Sequence, residues 1–431
     1  MKSRLLLLLV PIALHGQGVA SGDARAVSLD DAIRLAQQNS PLVIQAKGQV
    51  RSAEAAIRTQ YGTFIPTVNL SYGSNRQGGE TFFQGQLVPF RGDPWNFSRG
   101  LNSNLEIFDA GRRLYNVRTA KANLATAEQN QRLQLFRIAL EVKQQYYNVQ
   151  AARESRAAAE AQLAQADQQL KAATARLAAG AATKSDSLRS VIAVGNARLA
   201  MLTAENNIAL ASANLTRLVG TNYAVTAAGT EAIASTEVDA GDVARWIEDA
   251  PAVTTARSAV TAAQSAIRSS KTSYWPSLNL GFSYSGSRTD ATFAPAGGPY
   301  AGSHALRFTL NFPLFNGFTR EENVMRASVA EIAAQAELRD ARLTVQQSVT
   351  QYLGILRLAQ ARMAIQDASV AAGEEDLRVQ NQRYALGSST LLDVLTSQST
   401  LNQARVGLIQ ARLDSRVAKA QVEALLGRDL P

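Results

Sequence analysis

Apolar positions along this chain recur with two different periods. Leu163, Ala166, Leu170, Ala173 and Leu177 are spaced 3, 4, 3, 4, the seam of a coiled coil. The seam resumes as Val194, Ala197, Met201, Ala204, Ile208, Ala211, Leu215 and Leu218, and late in the chain as Leu401, Ala404, Leu408, Ala411, Ser415, Ala418, Val422 and Leu425. One row is alanine almost throughout, so neighbouring helices can approach closely. No proline interrupts Asp109 to Gly180, which at 1.5 Å per residue allows a helix of roughly 105 Å. Elsewhere the period is two. Leu278, Leu280, Phe282 and Tyr284 alternate with Asn279, Gly281, Ser283 and Ser285, and Leu306, Phe308, Leu310 and Phe312 alternate with Arg307, Thr309 and Asn311. Val68, Leu70 and Tyr72 alternate likewise with Asn69, Ser71 and Gly73, with a weaker partner through Leu101, Leu105 and Ile107.

These patterns occur twice. Ala56-Ile57-Arg58 returns as Ala266-Ile267-Arg268, and Pro66-Thr67-Val68-Asn69-Leu70 as Pro276-Ser277-Leu278-Asn279-Leu280. Further on, Arg176, Gly180, Thr183, Asp186 and Gly220 return as Arg383, Gly387, Thr390, Asp393 and Gly427. A period this long is a duplicated unit rather than a solenoid repeat. Gly180 and Gly387 end long helices, each four residues after an arginine suited to a helix C-terminus. Thr183 and Thr390 restart the chain, with Asp186 and Asp393 three residues on, a capping box with Asp in place of Glu. Each copy therefore folds back as an antiparallel helical hairpin.

The expected organisation is a signal peptide over 1–20, a first repeat over 21–220, a linker or equatorial region over 221–241 and a second repeat over 242–431. The first repeat holds strands at about 66–75 and 98–108 and a hairpin tip at 180–186; the second holds strands at about 276–287 and 304–315 and a tip at 387–393. The signal peptide rests on Lys2 and Arg4, the apolar run Leu5 to Leu14 and the small residues Gly18-Val19-Ala20 before Ser21. With no cysteine, neither a disulfide framework nor N-terminal acylation on Cys is available. The formal charge of +9, or +7 without Lys2 and Arg4, is spread along the chain rather than gathered in a run, so no nucleic-acid partner is expected.

No later segment is apolar for long enough to be a transmembrane helix, so any membrane crossing falls to strands. Roughly ten residues per tilted strand is the length that crosses an outer membrane. Four strands cannot close a barrel, and an open edge in lipid leaves backbone groups unsatisfied. The chain must then share a barrel with copies of itself. Two copies give eight strands, an interior that side chains fill; three give twelve, which can enclose water. The polar Ser, Asn, Gly, Thr and Arg positions suit water, and three chains with four long helices each also make a tube of twelve. The trimer is the expected assembly.

Catalytic material is sparse. Past the signal peptide the chain has one histidine, His304, expected at a barrel rim, and no HExxH, GxSxG or zinc spacing. Gly180-Ala181-Ala182-Thr183-Lys184-Ser185 has Thr183 where a P-loop needs glycine. Neither enzyme activity nor a metal or cofactor is expected. Asp186 and Asp393 have a structural explanation as first-turn carboxylates; a functional one, in which symmetry copies of Asp393 ring a pore mouth, stays open beside it.

The segment Ser28-Leu29-Asp30-Asp31-Ala32-Ile33-Arg34-Leu35-Ala36 followed by Asn39-Ser40-Pro41 resembles the opening of TolC-like outer-membrane efflux proteins. So do Phe315-Asn316-Gly317 after Pro313, and the run Arg383 to Leu395 through Tyr384, Gly387, Ser388, Ser389 and Thr390. The resemblance spans essentially the whole chain after the signal peptide. It implies an α+β membrane protein of two tandem repeats, each a β-hairpin plus long antiparallel coiled-coil helices. It further implies a homotrimer with one 12-stranded β-barrel on a 12-helix periplasmic α-barrel, placed in outer-membrane lipid and extending into the periplasm. The implied function is the exit duct of a tripartite system, docked through a periplasmic adaptor (membrane fusion) protein to an inner-membrane RND or ABC pump.

The resemblance also assigns residues. Gly180, Ala181, Ala182, Thr183, Gly387, Ser388, Ser389 and Thr390 would meet the adaptor at the hairpin tips, and Asp393, Asp186, Tyr384, Ser389 and Thr396 would form the periplasmic gate. Ser389 stands where some members have Arg, and Thr396 where some have a second Asp. Two alternatives remain: the channel of a type I protein secretion system, and an exported coiled-coil scaffold with no pore.

Overall fold

The computed structural model describes residues 24–76, 78–89, 94–229 and 240–430. The expected signal peptide and residues 230–239 of the expected linker lie outside the described residues. The elements run β1 (Arg25–Val27), α1 (Leu29–Asn39), α2 (Pro41–Gly62), β2 (Thr67–Arg76), β3 (Glu80–Phe83), β4 (Gln86–Pro89), β5 (Trp95–Phe108), α3 (Arg112–Ala178) and α4 (Lys184–Val219). After these come β6 (Val225–Ala227), α5 (Ala240–Asp249), α6 (Pro251–Lys271), a 3-10 turn (Thr272–Tyr274), β7 (Ser277–Asp290), β8 (Ala301–Asn311), α7 (Thr319–Ala385) and α8 (Leu391–Leu426). Both α3 and α7 have 67 residues, and both α4 and α8 have 36. Among the described residues no helix is long and apolar enough to cross a membrane.

The chain divides into two compact units. One comprises Pro41–Leu140, Ala234–Ala359 and Ala418–Pro431 and contains a four-stranded antiparallel sheet in the order β2-β5-β7-β8. Its two hairpins share one register: Leu70 faces Leu101 and Thr67 faces Asn104 in the first, while Leu280 faces Phe308 and Ser277 faces Asn311 in the second. Strand β5 joins them through β7, with Leu101 opposite Tyr284 and Asn104 opposite Gly281. Directly opposed residues share a face. One face therefore carries Val68, Leu70, Leu101, Leu105, Leu280, Phe282, Leu306, Phe308 and Leu310; the other carries Asn69, Ser71, Asn102, Asn104, Asn279, Gly281, Ser283, Arg307 and Thr309. Nothing in the chain covers the apolar face at the sheet's outer strands: Leu70 is 82 % exposed, and Phe308 and Leu310 are open as well, as are the polar Ser71 and Arg307 on the opposite face. The helical part of this unit is closed by Ala250, Val253, Val345, Val349, Val422 and Leu426.

The structure adds to the expected strands. Strand β8 ends at Asn311 rather than near 315, because Pro313 has no amide hydrogen to continue the ladder. It starts at Ala301, opposite Ser287. A β-bulge falls between Glu106 and Phe108, and an extra hairpin, β3–β4, occupies the loop after β2 with Phe82 facing Leu87.

At the strand-to-helix junctions the two copies differ. Asp109 and Arg113 are both buried. The Asp109 Oδ2 accepts from the Arg113 amide (2.8 Å) and Nε (3.0 Å), and its Oδ1 from the Gly111 amide (3.0 Å). Arg113 also donates to the Thr63 carbonyl and stacks on Phe64 at 4.7 Å. The matching arginine, Arg320, donates to the carbonyls of Pro313 and Leu314 and stacks on Tyr274 at 5.0 Å. Its Nε, however, is buried without a partner, and so is Oδ1 of Asn316, which stands where the first copy has Asp109.

The other unit holds the described residues of Met1–Ser40, Glu141–Ile233 and Gln360–Val417. The coiled-coil seam is its core: Ala166, Ala173, Ala197, Ala204, Leu401, Leu408, Ala411 and Ser415 are buried. A short parallel ladder, β1 with β6, lies where no strand was expected. Buried Tyr146 donates to the Ala228 carbonyl (2.6 Å), and Arg153 donates to Thr226 Oγ1 (2.8 Å) and to the Ala227 carbonyl. Three residues make a strand here because α3 satisfies its outer carbonyls.

Asp109→Asn leaves a buried guanidinium without its countercharge and is expected to destabilise by about 3 kcal/mol. Asn316→Asp supplies the carboxylate that the second junction lacks and is expected to raise the melting temperature. Burial works against the Asp109 charge, but the hydrogen bonds and charge of Arg113 outweigh it and hold the carboxyl below its usual range. Its contribution is thus complete above the unfolded carboxyl pKa and is lost as pH falls through the lower folded value. Helix melts followed by circular dichroism should show the Asp109→Asn deficit near neutrality and its narrowing in acid; a pH-independent deficit contradicts this account.

Candidate functional site

The candidate site is the pair of hairpin tips. Helix α3 stops because Gly180 turns left-handed at φ 72°, which lets the Ala181 amide reach the Arg176 carbonyl (2.8 Å) and the Gly180 amide reach Leu177 (3.1 Å). The same two bonds close α7 at Gly387, φ 75°: Ser388 to Arg383 (2.9 Å) and Gly387 to Tyr384 (3.2 Å). This is the Schellman stop, which a side chain at the left-handed position would strain. Only Ala181 and Ala182 separate Gly180 from the Thr183 cap, and Ser388 and Ser389 stand likewise before Thr390.

Helix α4 then starts with a full capping box. Thr183 Oγ1 accepts from the Asp186 amide, and Asp186 Oδ2 accepts from the Thr183 amide (3.1 Å) and hydroxyl (2.7 Å). In the second tip Asp393 Oδ2 accepts from the Thr390 amide (2.8 Å), the Thr390 hydroxyl (2.7 Å) and the Ser389 hydroxyl (3.0 Å). Hydrogen bonds from the Thr183 hydroxyl and amide lower the Asp186 pKa, and those from the Thr390 amide and hydroxyl and from Ser389 lower that of Asp393. Both carboxyls are charged at neutral pH. Each uses only Oδ2 for capping; Oδ1 of Asp186 and of Asp393 has no hydrogen bond among the described residues.

The tips are joined by a residue that sequence reasoning did not assign. Arg176, on α3, donates to the carbonyls of Tyr384 (3.0 Å) and Ala385 (2.9 Å) and stacks on the Tyr384 ring at 4.5 Å. It neutralises the carbonyl end of α7, where the helix dipole is negative. The sequence marked it as an arginine suited to the end of its own helix and as the counterpart of Arg383, but not as a partner of α7. No hydrogen bond joins Asp186 to Tyr384 within the chain among the described residues. Ser389 instead bridges Asp393 and Gln380 (3.1 Å), and the Thr396 hydroxyl returns to its own helix at the Leu392 carbonyl (2.8 Å). His304 lies exposed on β8, opposite Tyr284.

The chain as a whole is similar to known proteins. The model of the outer membrane efflux protein family matches residues 32–221 and 244–428. Protein CyaE of Bordetella pertussis is 28% identical over 387 residues, covering 88% of this chain and 79% of its own length. The pyoverdine export outer membrane protein OpmQ of Pseudomonas aeruginosa is 26% identical, covering 93% of this chain and 85% of its own. The crystal structure of the outer membrane protein VceC from Vibrio cholerae shares the fold, with a TM-score of 0.75 at 20% identity and coverage of 94% of this chain and 97% of that one. With two family matches that together span most of the sequence, the chain belongs to the outer membrane efflux protein family and is an outer-membrane efflux channel.

Proposed function

We propose that the chain is the exit duct of a tripartite efflux system, working as a homotrimer with one 12-stranded barrel and a 12-helix periplasmic α-barrel. A signal peptide over 1–20 would deliver it, and the repeats would be 21–220 and 242–431, a division supported by the two separate family matches. The supporting observation is the open sheet. Among the described residues strands β2 and β8 each have one unpaired edge, which lipid cannot satisfy. The β5–β7 pairing joins two successive hairpins, so the same pairing repeated between chains joins β8 to β2 of the next. Carrying Asn104 opposite Gly281 forward by one repeat places Asn311 opposite Ser71 of the partner subunit. A soluble scaffold would have no use for an apolar face on which Leu70, Phe282, Leu306, Phe308 and Leu310 stand exposed.

The polar face then lines the pore. Exposed Trp275, Phe312, Phe315 and Phe318 stand at the helix end of the sheet, where an aromatic girdle belongs. Substrates would pass from an inner-membrane RND or ABC pump through a periplasmic adaptor that grips Gly180, Ala181, Ala182, Thr183, Gly387, Ser388, Ser389 and Thr390. The relative OpmQ is a pyoverdine export outer membrane protein. The gate reading of Asp393 and the capping reading are compatible, because one oxygen caps while the other is left open, and the negative charge shared by both remains.

Three experiments follow from this geometry. The chain has no cysteine, so Ser71→Cys with Asn311→Cys introduces the only thiols. Oxidation is expected to give covalent dimers and trimers on non-reducing gels, whereas Ser71→Cys with Arg307→Cys, two rungs out of register, should stay monomeric; the reverse outcome removes the closure. Asp393→Asn keeps a capping acceptor while removing the charge, so planar-bilayer recordings should show weaker block by multivalent cations from the periplasmic side. Unchanged block leaves Asp393 as a cap alone. Gly387→Trp is expected to abolish export while trimers still reach the outer membrane, and normal export in that variant would take the tips out of the docking surface.

A further inference from the structure

Above its apolar rungs the Leu70–Leu101 face of the sheet carries an arginine. Arg99 lies on β5 opposite Tyr72 on one side and Gly286 on the other, one rung beyond Leu70, Leu101 and Tyr284. Its guanidinium is held in place rather than hanging free. It donates to the Tyr284 hydroxyl (2.9 Å) and stacks 4.4 Å from the Tyr300 ring, whose hydroxyl lies 3.3 Å from that of Tyr72. Gly286 makes room for it: a Cβ there would lie 2.9 Å from Arg99 Nε and 3.1 Å from its Cγ.

Its neighbour Arg288 is paired with Asp290 at 3.2 Å. Arg99 is exposed and has no carboxylate partner among the described residues, and only the bond to Tyr284 uses its donors. A guanidinium carries five N–H donors in a fork that matches phosphate. From Leu278 to Gly286, the level of Arg99, is eight residues along β7, roughly 27 Å of strand. At the tilt of such barrels that is about 20 Å of height, near the top of an apolar band about 25 Å tall. The loops β2–β5 and β7–β8 lie at this end of the sheet, opposite the helices. In the barrel reading, on which this inference rests, Arg99 stands at the headgroup level of the outer leaflet.

We propose that Arg99, presented by Tyr284 and Tyr300 over Gly286, is a binding site for the phosphate of an anionic outer-leaflet lipid. Charge complementarity and continuity with the lipid-facing band select a lipid rather than a free anion: the acyl chains would lie on Leu70, Leu101 and Leu306 below. Exposed His304 flanks the same position from β8. The site fixes the height of the barrel by a charge contact, where aromatic rings alone would tolerate sliding.

The test is native mass spectrometry of the purified full chain in detergent with lipid A, a phosphorylated glycolipid. The trimer is expected to retain lipid A and not phosphatidylcholine. Arg99→Gln should weaken retention by roughly tenfold or more, as loss of charged hydrogen bonds does. Gly286→Ala, which keeps the charge but crowds the guanidinium, should weaken it partly. Arg307→Gln, the same change on the polar face, should leave retention intact. Equal retention by wild type and Arg99→Gln overturns the site, and so does equal loss in Arg307→Gln, which would mean a general charge effect. Displacement of lipid A by excess inorganic phosphate would show a free-anion site and also overturns it. A wild-type trimer without lipid A defeats this inference alone, whereas the absence of any trimer defeats the barrel reading with it.

Discussion

Backbone hydrogen bonding in hydrocarbon is the constraint from which most of this chain follows. Each edge group left unpaired in lipid costs several kcal/mol, and β2 and β8 present a full edge each. Nothing within a chain can remove that cost, because its four strands are too few to close. Alternation along every strand answers the second half of the problem: with Leu, Phe and Val on one face and Asn, Ser, Gly and Thr on the other, a single sheet can separate lipid from water. In a soluble hairpin one of those faces would be buried; here Leu70 and Phe308 are open.

Duplication would make the proposed closure economical, since one interface would serve both inside the chain and between chains. The identical registers of the two hairpins mean that the β5–β7 seam can be laid down again at β8 and β2 without new geometry. Where the copies diverge, the chemistry of each junction diverges too. Asp109 satisfies Arg113, while Asn316 leaves Oδ1 and the Arg320 Nε unpaired. At the tips Arg176 finds the carbonyls and ring of Tyr384, but Leu177 occupies the position matching Tyr384 in the first copy. A contact made by Arg383 with that position would lack stacking. In the proposed trimer, exact sixfold likeness would thus be broken at specific side chains, and a seam between chains would lack at the tip the stacking that the seam within one has.

Much of this was legible because it depends on local periodicity. The heptad alanines, the glycine stops and the Thr-Asp caps each obey a rule that a few consecutive residues enforce, and each stands where those rules place it. Tertiary satisfaction was not legible. The β1–β6 ladder exists because Tyr146 and Arg153, more than seventy residues from β6, reach its carbonyls. Strand β3 pairs with β4 around Gln84 and Gly85, both at positive φ, a two-residue turn that favours a hairpin, but the flanking run is short and lacks clean alternation. The bulge near Ile107 shifts a face by one residue, and this is why β5 looked the weakest strand. Arg176 was visible as a repeat and as a helix-terminal cation, but the helix end that it serves is that of α7, which depends on where α7 ends in space.

The positions that break local rules are informative about the membrane. Phe318 sits at φ 65° with its ring largely exposed and edge-on to Phe315 at 5.5 Å. A non-glycine residue in that conformation costs on the order of 1 kcal/mol, and an exposed phenylalanine gains nothing from water in return. The strain makes sense if the ring is buried in lipid, where a phenylalanine recovers about 2 kcal/mol or more by leaving water. Gly111, its counterpart in the first copy, takes φ 86° without strain, so the backbone turn itself does not require an aromatic side chain. In that reading, what the second copy adds at that turn is an anchor, placed where α7 begins and where the sheet would have to stay level with the membrane.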